Sequence, residues 1–216
     1  MAYFWVSLLV VLLVPTISAD PDTLQDFCVA DTSSSTIFMN GLPCINSSEA
    51  SVEHFTTSIL STQGNTTGNP FGVSVTSTRA GVLPGINTLG IIMARVDFAV
   101  GAVLPPHTHP RASEIIFVLE GKLRVGFVDT TNKLFSADIK TGDVFVFPKA
   151  LIHFVENMGN SPASVIAALN SQAPGNSVIP LATFASNPAI PSNVLAKSFQ
   201  INDLEVQTIR KNLGGS

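Results

Sequence analysis

From residue 89 onward the chain alternates between short runs of β-branched and aromatic residues and brief polar or glycine-containing breaks, the rhythm of an antiparallel sandwich or barrel. Residues 89–100 form one such run. Residues 114–119 and 122–129 flank Glu120-Gly121, a hairpin signal. Residues 130–133 turn into 134–139, Thr141-Gly142 into 143–147, and Met158-Gly159-Asn160 separates 153–157 from 163–170. Some runs are apolar at every position, Val144-Phe145-Val146-Phe147 most plainly, which predicts sheets covered on both faces. The ends read differently. Residues 20–48 look irregular, 49–60 suggest one short helix with His54 on its surface, and 63–72 are a Gly/Asn/Thr-rich loop. Residues 191–199 and 202–212 predict two helices, the second with Asn202 as N-cap and Gly214-Gly215 as terminator. On that helix Leu204, Val206, Ile209 and Leu213 predict an apolar stripe for a core or subunit contact.

The first 19 residues are set apart from the fold. An apolar stretch over 4–14 is followed by Pro15-Thr16-Ile17-Ser18-Ala19 and the polar Asp20-Pro21-Asp22, the layout of a secretory leader cleaved after Ala19. No Lys or Arg precedes the apolar stretch, and the stretch is short for a membrane span. An exported chain meets an oxidising compartment, so Cys28 and Cys44, the only cysteines, are expected to pair. Closing such a loop contributes about 3 kcal/mol in the chain-entropy model. Asn46-Ser47-Ser48 and Asn65-Thr66-Thr67 are sequons for N-glycans at Asn46 and Asn65, whereas Asn160-Ser161-Pro162 is not of that type. The net charge of −4 is spread without a basic patch, which excludes nucleic acid as a partner. Charged residues make up 12% of the chain, half the usual quarter. A monomer would then present an unusually uncharged surface, which predicts a homo-oligomer, with glycans as a partial alternative.

Candidate chemistry concentrates in two spaced boxes. The first runs Gly101, five residues, His107-Thr108-His109, four residues, Glu114, six residues, Gly121; the second runs Gly142, five residues, Pro148-Lys149-Ala150, then His153 and Asn157. The chain has 4 histidines, and three fall in this pattern. Neutral imidazoles and a carboxylate bring lone pairs to one point, which is what metal ligation requires. His107 and His109 share a face if their segment is extended. Glu114 opens an apolar run, where an unpaired carboxylate would be costly. His153 alone reads as a hydrogen-bonded core histidine; in company with the other three it reads as the fourth ligand. Three imidazoles and a carboxylate suit manganese, iron, copper, nickel or zinc, and spacing does not choose among them.

These boxes, with Leu24-Gln25-Asp26-Phe27-Cys28-Val29-Ala30-Asp31 near the start, Pro105-Pro106-His107-Thr108-His109-Pro110-Arg111-Ala112 in the middle, and Asn170-Ser171-Gln172 with Pro174-Gly175 later, resemble the germin-like proteins, secreted plant members of the cupin superfamily. One departure is Ala150, where the second box usually carries glycine. The resemblance implies an all-β cupin barrel of jelly-roll type with short C-terminal helices. It would be arranged as a leader (1–19), a disulfide-bonded N-terminal segment (20–48) and the cupin domain (49–216). It further implies manganese held by His107, His109, Glu114 and His153, a hexamer built as a trimer of dimers, and residence in the apoplast or cell wall. Family activities range from oxalate oxidation to superoxide dismutation, and some members have no established enzymatic role. Oxalate oxidases of the family carry asparagines at the positions of Ala94 and Leu104. Neither side chain here donates a hydrogen bond, so superoxide is the expected substrate and a non-catalytic wall protein or small-ligand receptor the alternative.

Overall fold

The computed structural model describes residues 25–36 and 38–215; the leader over 1–19 lies outside them. Among the described residues ten strands form two five-stranded antiparallel sheets. The first has the order β1 (Val73–Ser77), β2 (Ile92–Phe98), β9 (Ala163–Leu169), β4 (Glu114–Glu120), β7 (Val144–Phe147); the second runs β10 (Ser177–Val178), β3 (Val103–Thr108), β8 (Ile152–Asn157), β5 (Lys122–Val128), β6 (Leu134–Lys140). The expected all-β barrel with short C-terminal helices is what the chain forms.

Strand alternation decides which residues fill the space between the sheets. Along β4, Glu114, Ile116 and Val118 are buried while Ile115, Phe117 and Leu119 face outward. With Val96 and Phe98 of β2, Val165 and Ala167 of β9, Leu123 and Val125 of β5 and Val155 of β8, the inward set makes one apolar core. The outward set is apolar too. Met93, Ile115, Phe117, Val144 and Val146 are all exposed on the outer side of the first sheet, with Ile115 opposite Val146 and Phe117 opposite Val144 in register.

The N-terminal segment is tied down by the Cys28–Cys44 disulfide. Buried Asn87 binds it to the body, donating from Nδ2 to the Leu42 carbonyl (2.8 Å) and accepting from the Leu42 N–H (3.1 Å). Residues 49–60 depart from the single helix expected. Three separate 3-10 turns form instead, Ser47–Glu49, Val52–Phe55 and Ile59–Ser61. Ser, Thr and Asn side chains there bond to nearby backbone, as Asn46 Oδ1 does to Ser48 N–H and Thr57 Oγ1 to Ile59 N–H, and so compete with a continuous helical ladder. His54 sits half-buried on the middle turn, its Nδ1 accepting from Ser51 N–H (3.0 Å).

At the C-terminus α1 (Ile179–Phe184), α2 (Ser192–Phe199) and α3 (Asp203–Leu213) close over a second small core of Phe184, Leu195 and Val206. Asn202 caps α3 in a reciprocal box with Glu205, and Gly214 ends it in the left-handed region at φ 76°. The expected stripe is only partly right. Val206 is fully buried and Ile209 and Leu213 pack beside it, but Leu204 is 77% exposed. Two residues along a helix rotate about 200°, so Leu204 and Val206 cannot share a face. Among the described residues no helix is long and apolar enough to cross a membrane.

Candidate metal centre

Two prolines set the local geometry. On β3, Leu104 pairs with Val155 and His107 with His153, so three steps along β3 match two along β8. Pro105 and Pro106 offer no N–H to the ladder, and the strand absorbs them as a bulge. The extra residue places His107, not Pro106, opposite inward-facing His153. Glu114 begins β4 on the facing sheet, and His109 lies one residue beyond the end of β3. All four predicted side chains therefore converge between the two sheets at one end of the barrel. One potential ligand atom from each lies within 4.8 Å of the others. Their rings interlock, with His107 and His153 centroids 4.1 Å apart and Phe147 stacked on His153 at 4.5 Å.

Each imidazole is oriented by a main-chain carbonyl. His107 Nδ1 lies 2.9 Å from Pro105 O, His109 Nδ1 2.6 Å from Gly175 O, and His153 Nδ1 2.8 Å from Leu151 O. A carbonyl only accepts, so each Nδ1 carries its proton, and in the neutral ring each Nε2 is left as a bare lone pair. Glu114 Oε2 sits 3.0 Å from His109 Nε2 and 3.4 Å from His153 Nε2. Lone pairs held that close to a buried carboxylate repel unless a positive charge lies among them. Consistently, Glu114 Oε2 and His153 Nε2 are buried without a hydrogen-bond partner.

The titration behaviour carries the same message. Burial, then the neighbouring His153, presses the His107 pKa down to about 4. Burial pushes Glu114 upward, but contacts with His109 and His153 outweigh it and hold the carboxyl at about 2. At His109 burial is opposed by Glu114 and the Gly175 carbonyl, and the net shift is upward. The cage favours an ionised carboxylate with cationic charge beside it. His109 holds a proton more tightly than a free imidazole does, which is one way to meet that demand, and a divalent ion meets it as well. A donor set this compact, three imidazole nitrogens and a carboxylate oxygen, fits a single divalent ion. The four residues form a three-histidine, one-glutamate metal-binding site.

Around the cage the structure adds what the spacing of the boxes does not reveal. The Gly175 carbonyl comes from a loop after β9, and Phe147 from the last residue of β7. Asn157, in the second box, is no ligand: its Nδ2 donates to Ala99 O (2.8 Å) and Ser161 O (2.9 Å), fastening the far end of β8. Ala150 adopts φ 64°, the left-handed region where glycine is usual. Its N–H donates to His109 O (3.2 Å) and its carbonyl accepts from Thr108 Oγ1 (2.7 Å), so this turn braces the His107–His109 segment. Ala94 is buried on β2, and Leu104 packs against the core from β3; neither offers a polar atom beyond its backbone.

The cupin family model matches residues 58–207. Germin-like protein 1-1 of Oryza sativa subsp. japonica is 49% identical over 92% of this chain and 90% of its own length. A protein of Pisum sativum named Rhicadhesin receptor is 52% identical over 88% of this chain and 86% of its own. Among solved structures, an oxalate oxidase in complex with the substrate analogue glycolate superposes with a TM-score of 0.86 at 43% identity, covering 91% of this chain and 100% of the other. The likeness thus spans the disulfide-bonded segment, both sheets and the C-terminal helices, and the chain belongs to the germin-like proteins of the cupin family.

Proposed function

We propose that this chain is an exported manganese protein of the plant apoplast that dismutes superoxide, converting two superoxide radicals and two protons to dioxygen and hydrogen peroxide. The observation that carries the reading is the pairing of a complete ligand cage with an apolar Ala94 and Leu104. Bound manganese would supply a centre able to cycle between two oxidation states with positions open to a small ligand. His107, His109 and His153 would hold it through Nε2, each fixed by its backbone carbonyl, and Glu114 would supply the anionic ligand. One carboxylate against a divalent ion leaves net positive charge, which favours a small anion. Superoxide requires little more than access.

Oxalate requires oriented donors. Each hydrogen bond to a charged group contributes about 1.5–3 kcal/mol, so the absence of two amide side chains at positions 94 and 104 costs several kcal/mol of binding. The 43% identity to an oxalate oxidase therefore does not carry that activity over. The relative named a receptor, at 52% identity, supports a second reading in which the metal serves stability and the protein acts as a wall-bound receptor.

Export by the 1–19 leader accords with the disulfide and with exposed sequon asparagines. In both sequons the hydroxyl two residues on donates to the asparagine Oδ1, Ser48 Oγ at 2.9 Å and Thr67 Oγ1 at 2.7 Å, leaving Asn46 and Asn65 presented for glycans. The outward apolar face of the first sheet supports assembly into a homo-oligomer, a trimer of dimers on the family pattern. The test compares superoxide dismutation with peroxide formation from oxalate on the same metal-loaded preparation. Dismutation without oxalate turnover is expected, and Ala94→Asn with Leu104→Asn should raise oxalate affinity. Oxalate turnover by the unaltered protein would overturn the assignment, and neither activity at full metal occupancy would favour the receptor reading.

A further inference from the structure

A cleft of about 460 Å³ lies beside the metal cage without including any of its four ligands. Its walls include Asn40, Thr88, Arg111, Lys149, Asn170 and Gln172, and no carboxylate lines it. In a chain of net charge −4 this pairing of two cations is a local inversion of sign. Neither Arg111 nor Lys149 has an ion-pair partner among the described residues.

The donors are held in place. Arg111 donates its backbone N–H to Pro174 O (3.0 Å) and its Nε to Ala173 O (2.6 Å), which pins the guanidinium while both terminal nitrogens stay uncommitted. Gly175 lets that fork lie close, since a Cβ there would sit 3.2 Å from Arg111 Nη2. Asn170 Oδ1 accepts from Ser113 N–H (2.8 Å), so its NH2 is turned away from that bond and free to donate. The opposite wall is cross-linked over long stretches of sequence. Gln172 accepts from the Thr88 N–H and donates from Nε2 to Asn40 O (3.0 Å). Thr88 is held at φ 65°, an uncommon conformation for a β-branched residue and one that persists only where its surroundings impose it.

The geometry points to a binding site for a small oxyanion, a carboxylate or a phosphate, gripped by the Arg111 fork with Lys149 and the Asn170 amide completing the contacts. A planar guanidinium with two free NH2 groups matches two oxygens of such an anion at once. The cleft volume suits a small metabolite, and the Arg111 terminal nitrogens, the Lys149 ammonium and the Asn170 NH2 have no internal acceptor among the described residues. This site does not depend on the metal or on superoxide chemistry.

Calorimetric titration of the intact, metal-loaded protein with malonate, with inorganic phosphate and with the uncharged isostere malonamide tests it. Saturable binding of malonate or phosphate, with none of malonamide, is expected, and whichever anion binds more tightly identifies the ligand class. Arg111→Gln should weaken that binding roughly tenfold or more, the loss expected for a charge-assisted hydrogen bond. Lys149→Gln, at an exposed residue with no internal partner, should weaken it by a smaller factor while metal content stays unchanged. No saturable binding of either anion would overturn the proposal. So would binding that both substitutions leave intact, which would place the anion at the metal instead.

Discussion

Ala150→Gly isolates one local conformational effect beside the metal cage. Ala150 holds φ 64° in a turn closed by a Leu151 N–H to Pro148 O bond of 3.3 Å. The left-handed region costs an L-residue with a Cβ about 1–2 kcal/mol relative to glycine. Against that, glycine loses about 0.5–1 kcal/mol more conformational entropy on folding. The methyl group is exposed, so little packing is lost with it. The balance is stabilising by about 0.5–1 kcal/mol, or roughly 1–4 °C in Tm for a domain of this size. Thermal unfolding of the metal-free protein reads this directly, without the added stabilisation of a bound ion. Ala150→Val should move the other way, because a β-branched residue tolerates φ > 0 poorly. A lowered Tm for the glycine variant would refute the reasoning and show that the turn is relaxed with alanine.

Glu114→Gln should weaken metal binding by at least ~10-fold in equilibrium dialysis and should also lower the stability of the metal-free protein, since it removes the buried carboxylate that pairs with His109. Phe117→Asp with Val146→Asp should split the proposed homo-oligomer, because each places a carboxylate on the outer apolar face of the first sheet. Light scattering should then report a smaller species than the native assembly, and an unchanged mass would place the subunit contact elsewhere. Acidification should release metal as protons reclaim the imidazoles. His109, its pKa raised above 6.5, should take up its proton before His107, held at about 4. Metal content measured across that interval should fall with falling pH, with proton uptake on release. Retention of all metal well below pH 4 would contradict the sign.

The strands of the barrel were legible because inward and outward residues alternate and glycine-bearing turns punctuate them. The four cage residues were legible because their chemistry is unusual in an apolar setting, as Glu114 before Ile115-Ile116 shows. What escaped were features created by pairing rather than by composition. β1, Val-Ser-Val-Thr-Ser, lies before the series of runs that starts at residue 89 and is defined by its ladder with β2. β10 and α1 are short and have little periodicity to detect. The 49–60 segment carries enough apolar residues for a helix, but its hydroxyl side chains divide it into 3-10 turns. The carbonyls of Pro105, Leu151 and Gly175 set the tautomers of the three histidines, yet any residue type has a carbonyl, so no sequence signal marks them. The bulge at Pro105-Pro106, where the prolines offer no N–H to the ladder, and its effect on which side chain faces inward appear only in the register.

The most direct test of the proposed activity is superoxide dismutation per subunit measured against metal occupancy, with manganese content determined on the same purified protein. Activity should rise in proportion to bound manganese toward one ion per subunit and vanish in His107→Ala together with the metal. Activity independent of occupancy, or a fully loaded protein with no dismutation, would contradict it.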